Sequence, residues 1–121
     1  MVEAVRVYVR YHLPNEHGET RVEKYENMGQ PTPELEIPEI GRYLWDFYFA
    51  ISGRLRRMRD GVCEPIPPSE YLAWLRLTGD IIYPSEFAIL CAMDDQYCSE
   101  MNIEAKDYRQ RLQDEAKKGR K

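Results

Sequence analysis

The strongest chemical signal in this sequence is Asp94, a carboxylate placed among apolar side chains. Helical projection puts it on one face with Leu90, Cys91, Tyr97 and Cys98. A buried carboxylate must find hydrogen-bond donors or change its pKa, because removing a charge from water is costly. No second acid or base is spaced to share catalysis with it. We predict a structural anchor that accepts from loop N–H groups, the Trp74 indole or an arginine; a catalytic acid and a solvated helix edge are the alternatives.

A dense group of arginines is the second feature. Four guanidinium groups fall within six residues, at Arg54, Arg56, Arg57 and Arg59. Cations stabilise the C-terminal end of a helix, so a solvated helix end is one interpretation. A partner-binding patch is another, and these four arginines are our charged candidates for it. Binding of nucleic acid is the least favoured interpretation, because no aromatic side chains that could stack on bases lie beside the cluster.

The three cysteines are Cys63, Cys91 and Cys98. An odd number without a CxxC spacing argues against a disulfide framework, and we predict buried thiols. Cys91 and Cys98 are two helical turns apart, about 10 Å on a straight helix, which is too far for a bridge. His12 and His17 fit no zinc-ligand spacing. With no nucleophile, phosphate-loop or metalloprotease motif, we predict no enzyme activity, no metal and no cofactor.

Length and charge limit the possible classes of protein. A chain of 121 residues is typical of one domain with one core. No apolar run approaches the length of a membrane span, and we expect a soluble protein. The net charge of −4 disfavours non-specific nucleic-acid binding. Residues 1–40 carry four basic and eight acidic side chains, whereas residues 104–121 carry seven basic and four acidic side chains. This asymmetry favours protein partners or self-association.

The predicted organisation begins with a strand or hairpin region over residues 1–28. Apolar residues alternate with others over residues 4–13, which is typical of a half-buried strand. Turn-forming residues 15–18 follow Pro14. We predict that the chain returns as a second strand over residues 19–25, with a helix beginning near Glu19 as the alternative. Residues 29–38, which contain three prolines, are predicted to be a linker.

From residue 39 onward the apolar period becomes that of a helix. The pattern predicts one helix over residues 39–58, a short helix from Ser69 that Gly79 ends, and a third helix beginning at Pro84. We predict that Asn102 breaks or recaps this helix and that its basic remainder either frays or becomes ordered on a partner.

The predicted fold is mainly α, a small domain of three to four helices with an N-terminal strand or hairpin. Its helical domain spans residues 39–118. The helices are expected to pack through Leu44, Phe47, Trp74, Phe87 and Leu90.

The first predicted helix has apolar residues on two faces. Its main apolar stripe includes Leu44, Phe47 and Ile51, and Trp45 and Phe49 lie one turn apart from each other and away from that stripe. Such a helix is either central in a bundle or in contact with a partner. Aromatic anchors beside arginines are typical of interface hot spots, so Trp45 and Phe49 are our apolar candidates for partner binding.

Six short segments resemble a known family. They are GQPTPEL at 29–35, LWDFYFAIS at 44–52, PIP at 65–67, YLAWLRLTG at 71–79, PSEF at 84–87 and AMDDQY at 92–97. Their order and spacing, over residues 29–101, resemble phage tail assembly chaperone proteins. The chain departs from the family's pattern in two places: its loop after the first helix is rich in arginine, and its N-terminal region has no counterpart.

The resemblance implies a non-enzymatic assembly factor. Such proteins are made in the host cytoplasm during infection, cover the tape measure protein, bring tail tube subunits to it and are absent from the mature virion. The alternative is a small phage-derived regulatory protein that binds a host protein or nucleic acid through Arg54–Arg59.

Overall fold

The computed structural model describes residues 1–13 and 18–119. The elements are α1 (Val2–Val7), α2 (Arg21–Asn27), α3 (Arg42–Ser52), β1 (Met58–Arg59), β2 (Val62–Cys63), α4 (Pro68–Thr78) and α5 (Pro84–Lys118). The prediction of a small, mainly helical fold is confirmed. Within the described residues, no helix has both the length and the apolar character needed to cross a membrane.

The N-terminal region is helical, so the strand predicted there is wrong. The helix α1 continues as a π-helical segment, Tyr8–His12. Val5 and Val9 are both buried, and they are related by the i, i+4 spacing of a helix as well as by strand alternation. The sequence pattern fits both periods, and packing against α5 favours the helix. The predicted turn residues 15–17, with His17, lie outside the described residues.

The second predicted strand is also a helix, and the alternative prediction of a helix near Glu19 is confirmed. Thr20 is the N-cap of α2: its hydroxyl accepts from the Glu23 N–H at 3.2 Å. The Glu23 carboxylate in turn accepts from the Thr20 N–H, which completes a capping box. Residues 30–38 have no regular secondary structure, although Leu35 and Ile37 pack against the core.

The first long helix is shorter than predicted. After a 3-10 turn at Glu39–Gly41, α3 ends at Ser52 and not at residue 58. The chain then turns into an antiparallel hairpin, in which Met58 pairs with Cys63. Asp60 and Gly61 connect the strands with φ values of 53° and 80°, the left-handed pair that favours tight hairpins.

The helix α5 runs for 35 residues without a break at Asn102, so the predicted break there is wrong. The Asn102 side chain does not compete for its own helix backbone. Its Oδ1 accepts from the Cys63 N–H of β2 at 2.8 Å. The side chain that was expected to interrupt the helix is thus occupied by a tertiary contact.

The core lies where α1, α3 and α5 meet. Its fully buried side chains include Val5, Tyr48, Ile51, Leu90 and Met93. Of the predicted core residues, Leu44, Phe47 and Leu90 are buried, whereas Trp74 and Phe87 are half-buried against the core. The N-terminal helix is therefore part of the same core as the helical region after residue 39.

The C-cap of α4 depends on a glycine. Gly79 has a φ of 76°, and its N–H donates to the Leu75 carbonyl oxygen at 2.9 Å. We expect Gly79→Ala to lower the free energy of unfolding by about 1 kcal/mol, because a Cβ disfavours left-handed backbone. Gly79→Asn is the control and should cost less, since asparagine tolerates this conformation. Equal stability of wild type and Gly79→Ala in urea unfolding would contradict the prediction.

Candidate functional site

Asp94 is buried in α5 and lies at the centre of a polar network. Its Oδ1 accepts from the Tyr48 hydroxyl at 2.8 Å and from Arg57 Nη2. Its Oδ2 accepts from the Ile66 N–H at 2.8 Å. An arginine and a loop N–H are thus among its donors, as the sequence suggested. The described donors do not include Trp74, which lies half-buried at the edge of the core.

Arg57 is equally well enclosed. Its Nη1 donates to Ser52 Oγ at 2.8 Å, and its Nε donates to the Glu64 carbonyl oxygen at 2.9 Å. The guanidinium also lies over the Tyr97 ring, 4.9 Å from the centroid. The ion pair of Arg57 and Asp94 therefore connects the end of α3, the hairpin and α5.

The chemistry of this network is that of an anchor. Burial is the main cause that raises the pKa of the Tyr48 phenol, and the Asp94 carboxylate raises it further. Tyr48 is therefore a hydrogen-bond donor throughout the neutral range. Both carboxylate oxygens of Asp94 already accept from protein donors, which suits a buried charge held in place.

The structure separates the four arginines of the cluster. Arg57 points into the protein, so its assignment as a partner-binding residue needs correction. Arg54, Arg56 and Arg59 are exposed. Arg59 lies 3.4 Å from a carboxylate oxygen of Glu64 across the hairpin. Three cations of the cluster therefore remain on the surface.

The two aromatic candidates for partner binding lie inside the fold. Trp45 is only 7% exposed and Phe49 is half-buried. The Tyr8 ring of the N-terminal helical segment contacts both, with ring centroids 5.8 Å from Trp45 and 4.8 Å from Phe49. The Tyr97 ring lies 6.1 Å from Tyr48 and 6.2 Å from Phe49. The second apolar face of α3 is thus covered by this chain itself.

Several exposed apolar side chains lie on and after α4, which buries only Tyr71. They come from α4, from the connection to α5 and from the first turns of α5. We call this set the α4 surface; its members are Leu72, Leu77, Ile81, Tyr83 and Ile89. The exposed fraction is 85% for Leu77 and 72% for Ile81. Burial of such side chains in a protein interface would remove apolar area from water, which makes the α4 surface a candidate for partner binding.

A cavity of about 400 Å³ lies between the N-terminal helical segment, α2 and α5. Val9, Leu13 and Met101 contribute apolar walls. Arg10 and Arg21 also line it, and both pair with Glu104, at 3.4 and 2.6 Å. These ion pairs join the N-terminal helices to α5.

Two features of the structure differ from what the sequence pattern predicted. Leu72 and Leu77 lie away from the apolar face of α4 that carries Tyr71, Trp74 and Leu75, and this position could have indicated their exposure. Cys63 and Cys98 contact each other through their sulfur atoms, 3.3 Å apart. Since these two cysteines are 35 positions apart, no local pattern indicates the contact.

Comparison with known proteins provides no family assignment. No protein-family model matches the chain, and neither a curated protein nor a solved structure shows significant similarity to it. The function is therefore inferred from the residues themselves, from their placement in the fold and from the resemblance of the segments within residues 29–101.

Proposed function

We propose that this chain is a non-enzymatic tail assembly chaperone of a tailed phage. It covers apolar helical segments of the tape measure protein in the host cytoplasm, and it brings tail tube subunits to them. It leaves before the virion is complete. The segments that resemble this family, within residues 29–101, are the reason for choosing this class of partner.

The observation that carries the proposal is the exposure of the α4 surface. Burying one leucine or isoleucine side chain contributes about 1.5–3 kcal/mol. Leu77 and Ile81, which are largely in water, therefore offer a substantial gain on binding an apolar partner. Both lie within the stretch of chain that resembles the chaperones.

The location of the interface changes from the sequence-based prediction. Trp45 is already buried against Tyr8. We therefore place the proposed partner contact on the α4 surface and not on the second apolar face of α3. The binding mode remains an amphipathic helix of the partner laid on an apolar surface. The exposed Arg54, Arg56 and Arg59 can then contribute to the specificity for a partner through their charge.

The test is co-purification with the tape measure and tail tube proteins of the same phage. The double variant Leu77→Ser with Ile81→Ser should weaken capture by about 100-fold or more, because two apolar contacts are lost. Ile40→Ser is the matched control, because Ile40 is 92% exposed but lies outside the α4 surface. Capture by the wild type and by the control should persist from low to moderate salt.

Three results would contradict the proposal. One is equal capture by the double variant and the control. Another is self-association through Leu77 and Ile81 without capture of a tail protein. The third is co-purification of nucleic acid that disappears at moderate salt, which would favour the regulatory alternative through Arg54, Arg56 and Arg59.

A further inference from the structure

Two thiols from distant parts of the chain are held side by side. Cys63 belongs to β2 and Cys98 to α5, and their Sγ atoms are 3.3 Å apart. A disulfide bond is about 2.05 Å long, so bond formation needs only a small approach. A second contact holds the two segments together, because the Cys63 N–H donates to the side-chain Oδ1 of Asn102, one turn further along α5.

The two thiols differ in their access to solvent. Cys63 is buried, with 3% of its surface exposed, whereas Cys98 is half-buried. Cys98 Sγ also accepts from Arg57 Nη2 at 3.3 Å. Because Cys98 is the more exposed residue of the two, we expect a reagent from solution to react with it first, and Cys63 Sγ lies close enough to react second.

We propose that Cys63 and Cys98 form a redox modification site, whose substrate is a small disulfide such as oxidised glutathione. The Cys98 thiolate attacks one sulfur of the small disulfide, which breaks its S–S bond and releases one thiolate. Cys63 then attacks the Cys98 sulfur of the mixed disulfide and displaces the second small thiolate. The two protons of the cysteines end on the two released thiols. The protein dithiol is oxidised by two electrons, and the small disulfide is reduced to two thiols.

The new bond links the hairpin to α5 beside the ion pair of Arg57 and Asp94. It closes a loop from residue 63 to residue 98, which removes conformational freedom from the unfolded chain. The oxidised protein is therefore expected to unfold at a higher temperature and at higher urea concentration. In a reducing cytoplasm the two cysteines remain thiols. When the ratio of small disulfides to small thiols rises, the disulfide bond between them forms.

The reaction rate depends on pH. Burial, contact with Cys63 and the Asp94 carboxylate raise the pKa of the Cys98 thiol to about 12. Since the thiolate is the nucleophile, its fraction rises about tenfold for each pH unit below that pKa. Oxidation should accelerate accordingly from neutral to mildly alkaline pH, provided that the chain remains folded.

The experiment uses the full chain with Cys91→Ser, which leaves only the two thiols of interest. The reduced, folded protein is treated with oxidised glutathione, its free thiols are counted after unfolding, and its peptides are mapped by mass spectrometry. We expect loss of both thiols, a Cys63–Cys98 linked peptide and a monomeric product. The wild type, treated in the same way, should give the same linked peptide.

A single-cysteine variant separates the two steps. In Cys63→Ala combined with Cys91→Ser, Cys98 should retain a stable glutathione adduct, because no second thiol of the chain can displace it; circular dichroism checks the fold. The proposal is overturned if the folded Cys91→Ser chain stays reduced while the urea-unfolded chain reacts. A persistent adduct on Cys98 with Cys63 still free, or a disulfide between two chains, overturns it as well. None of these readouts depends on a tail protein, so they are independent of the proposed function.

Discussion

Replacing Asp94 by alanine is expected to lower the free energy of unfolding by about 3–5 kcal/mol, because Arg57 would then be a buried cation without its counter-ion. The guanidinium cannot move easily to water, since it also donates to Ser52 and Glu64. The Tyr48 hydroxyl and the Ile66 N–H would lose their acceptor in the same change. Urea unfolding followed by circular dichroism measures the loss.

Two further variants make this result interpretable. Arg59→Met removes an exposed arginine whose ion pair with Glu64 is on the surface, and it should change stability by less than about 1 kcal/mol. The double variant Arg57→Met with Asp94→Leu should lose less than the sum of the single losses, because neither charge is left alone. If Asp94→Ala does not fold, Asp94→Asn keeps one acceptor oxygen and gives a measurable value. A loss for Asp94→Ala no larger than that for Arg59→Met would contradict the anchor.

Replacing Trp45 by alanine is the second large effect, and we expect it to cost about 3–5 kcal/mol of stability. Trp45 is 7% exposed and packs on Tyr8 and Phe49, so truncation leaves a cavity between the N-terminal helical segment and α3. The sequence pattern also allows a different result, in which alanine at Trp45 and Phe49 abolishes partner capture and leaves folding intact. Thermal unfolding and pull-down of the same variant distinguish the two.

Tyr43→Ala is the matched control for this change. Tyr43 is an aromatic residue of the same helix, but it is 52% exposed, and its loss should alter stability by no more than about 0.5 kcal/mol. If Trp45→Ala unfolds at the wild-type temperature and fails to capture a tail protein, Trp45 belongs to an interface and our placement of it in the core is wrong.

Local signals in the sequence are sufficient to predict several elements of this protein. Gly79 ends α4 in the left-handed conformation, and Pro84 begins α5, as predicted. These signals act within one helical turn, because they concern the backbone groups that a helix end leaves unpaired. The apolar face around Asp94 likewise indicates that a buried carboxylate needs donors.

Where the local pattern fits two structures, the packing of the helices makes the choice. Val5 and Val9 satisfy both the strand and the helix period, and their burial against α5 selects the helix. Asparagine is a poor helix former, but the side chain of Asn102 is used by the Cys63 N–H and the helix continues. The helix propensity of one residue contributes little to the stability of a helix compared with the burial of its whole apolar face.

The order of residues alone is enough to show that the chain is mainly helical, where α4 ends and α5 begins, and that Asp94 needs partners. It does not show which of the four neighbouring arginines turns inward to Asp94, and the packed fold selects Arg57. The same packing covers Trp45 with Tyr8, leaves Leu77 in water and brings Cys63 to Cys98. The physical reason is the separation of the interacting residues along the chain. Helix caps and apolar periodicity involve residues within a few positions of each other. These contacts join side chains tens of positions apart, and they depend on how all the helices pack together.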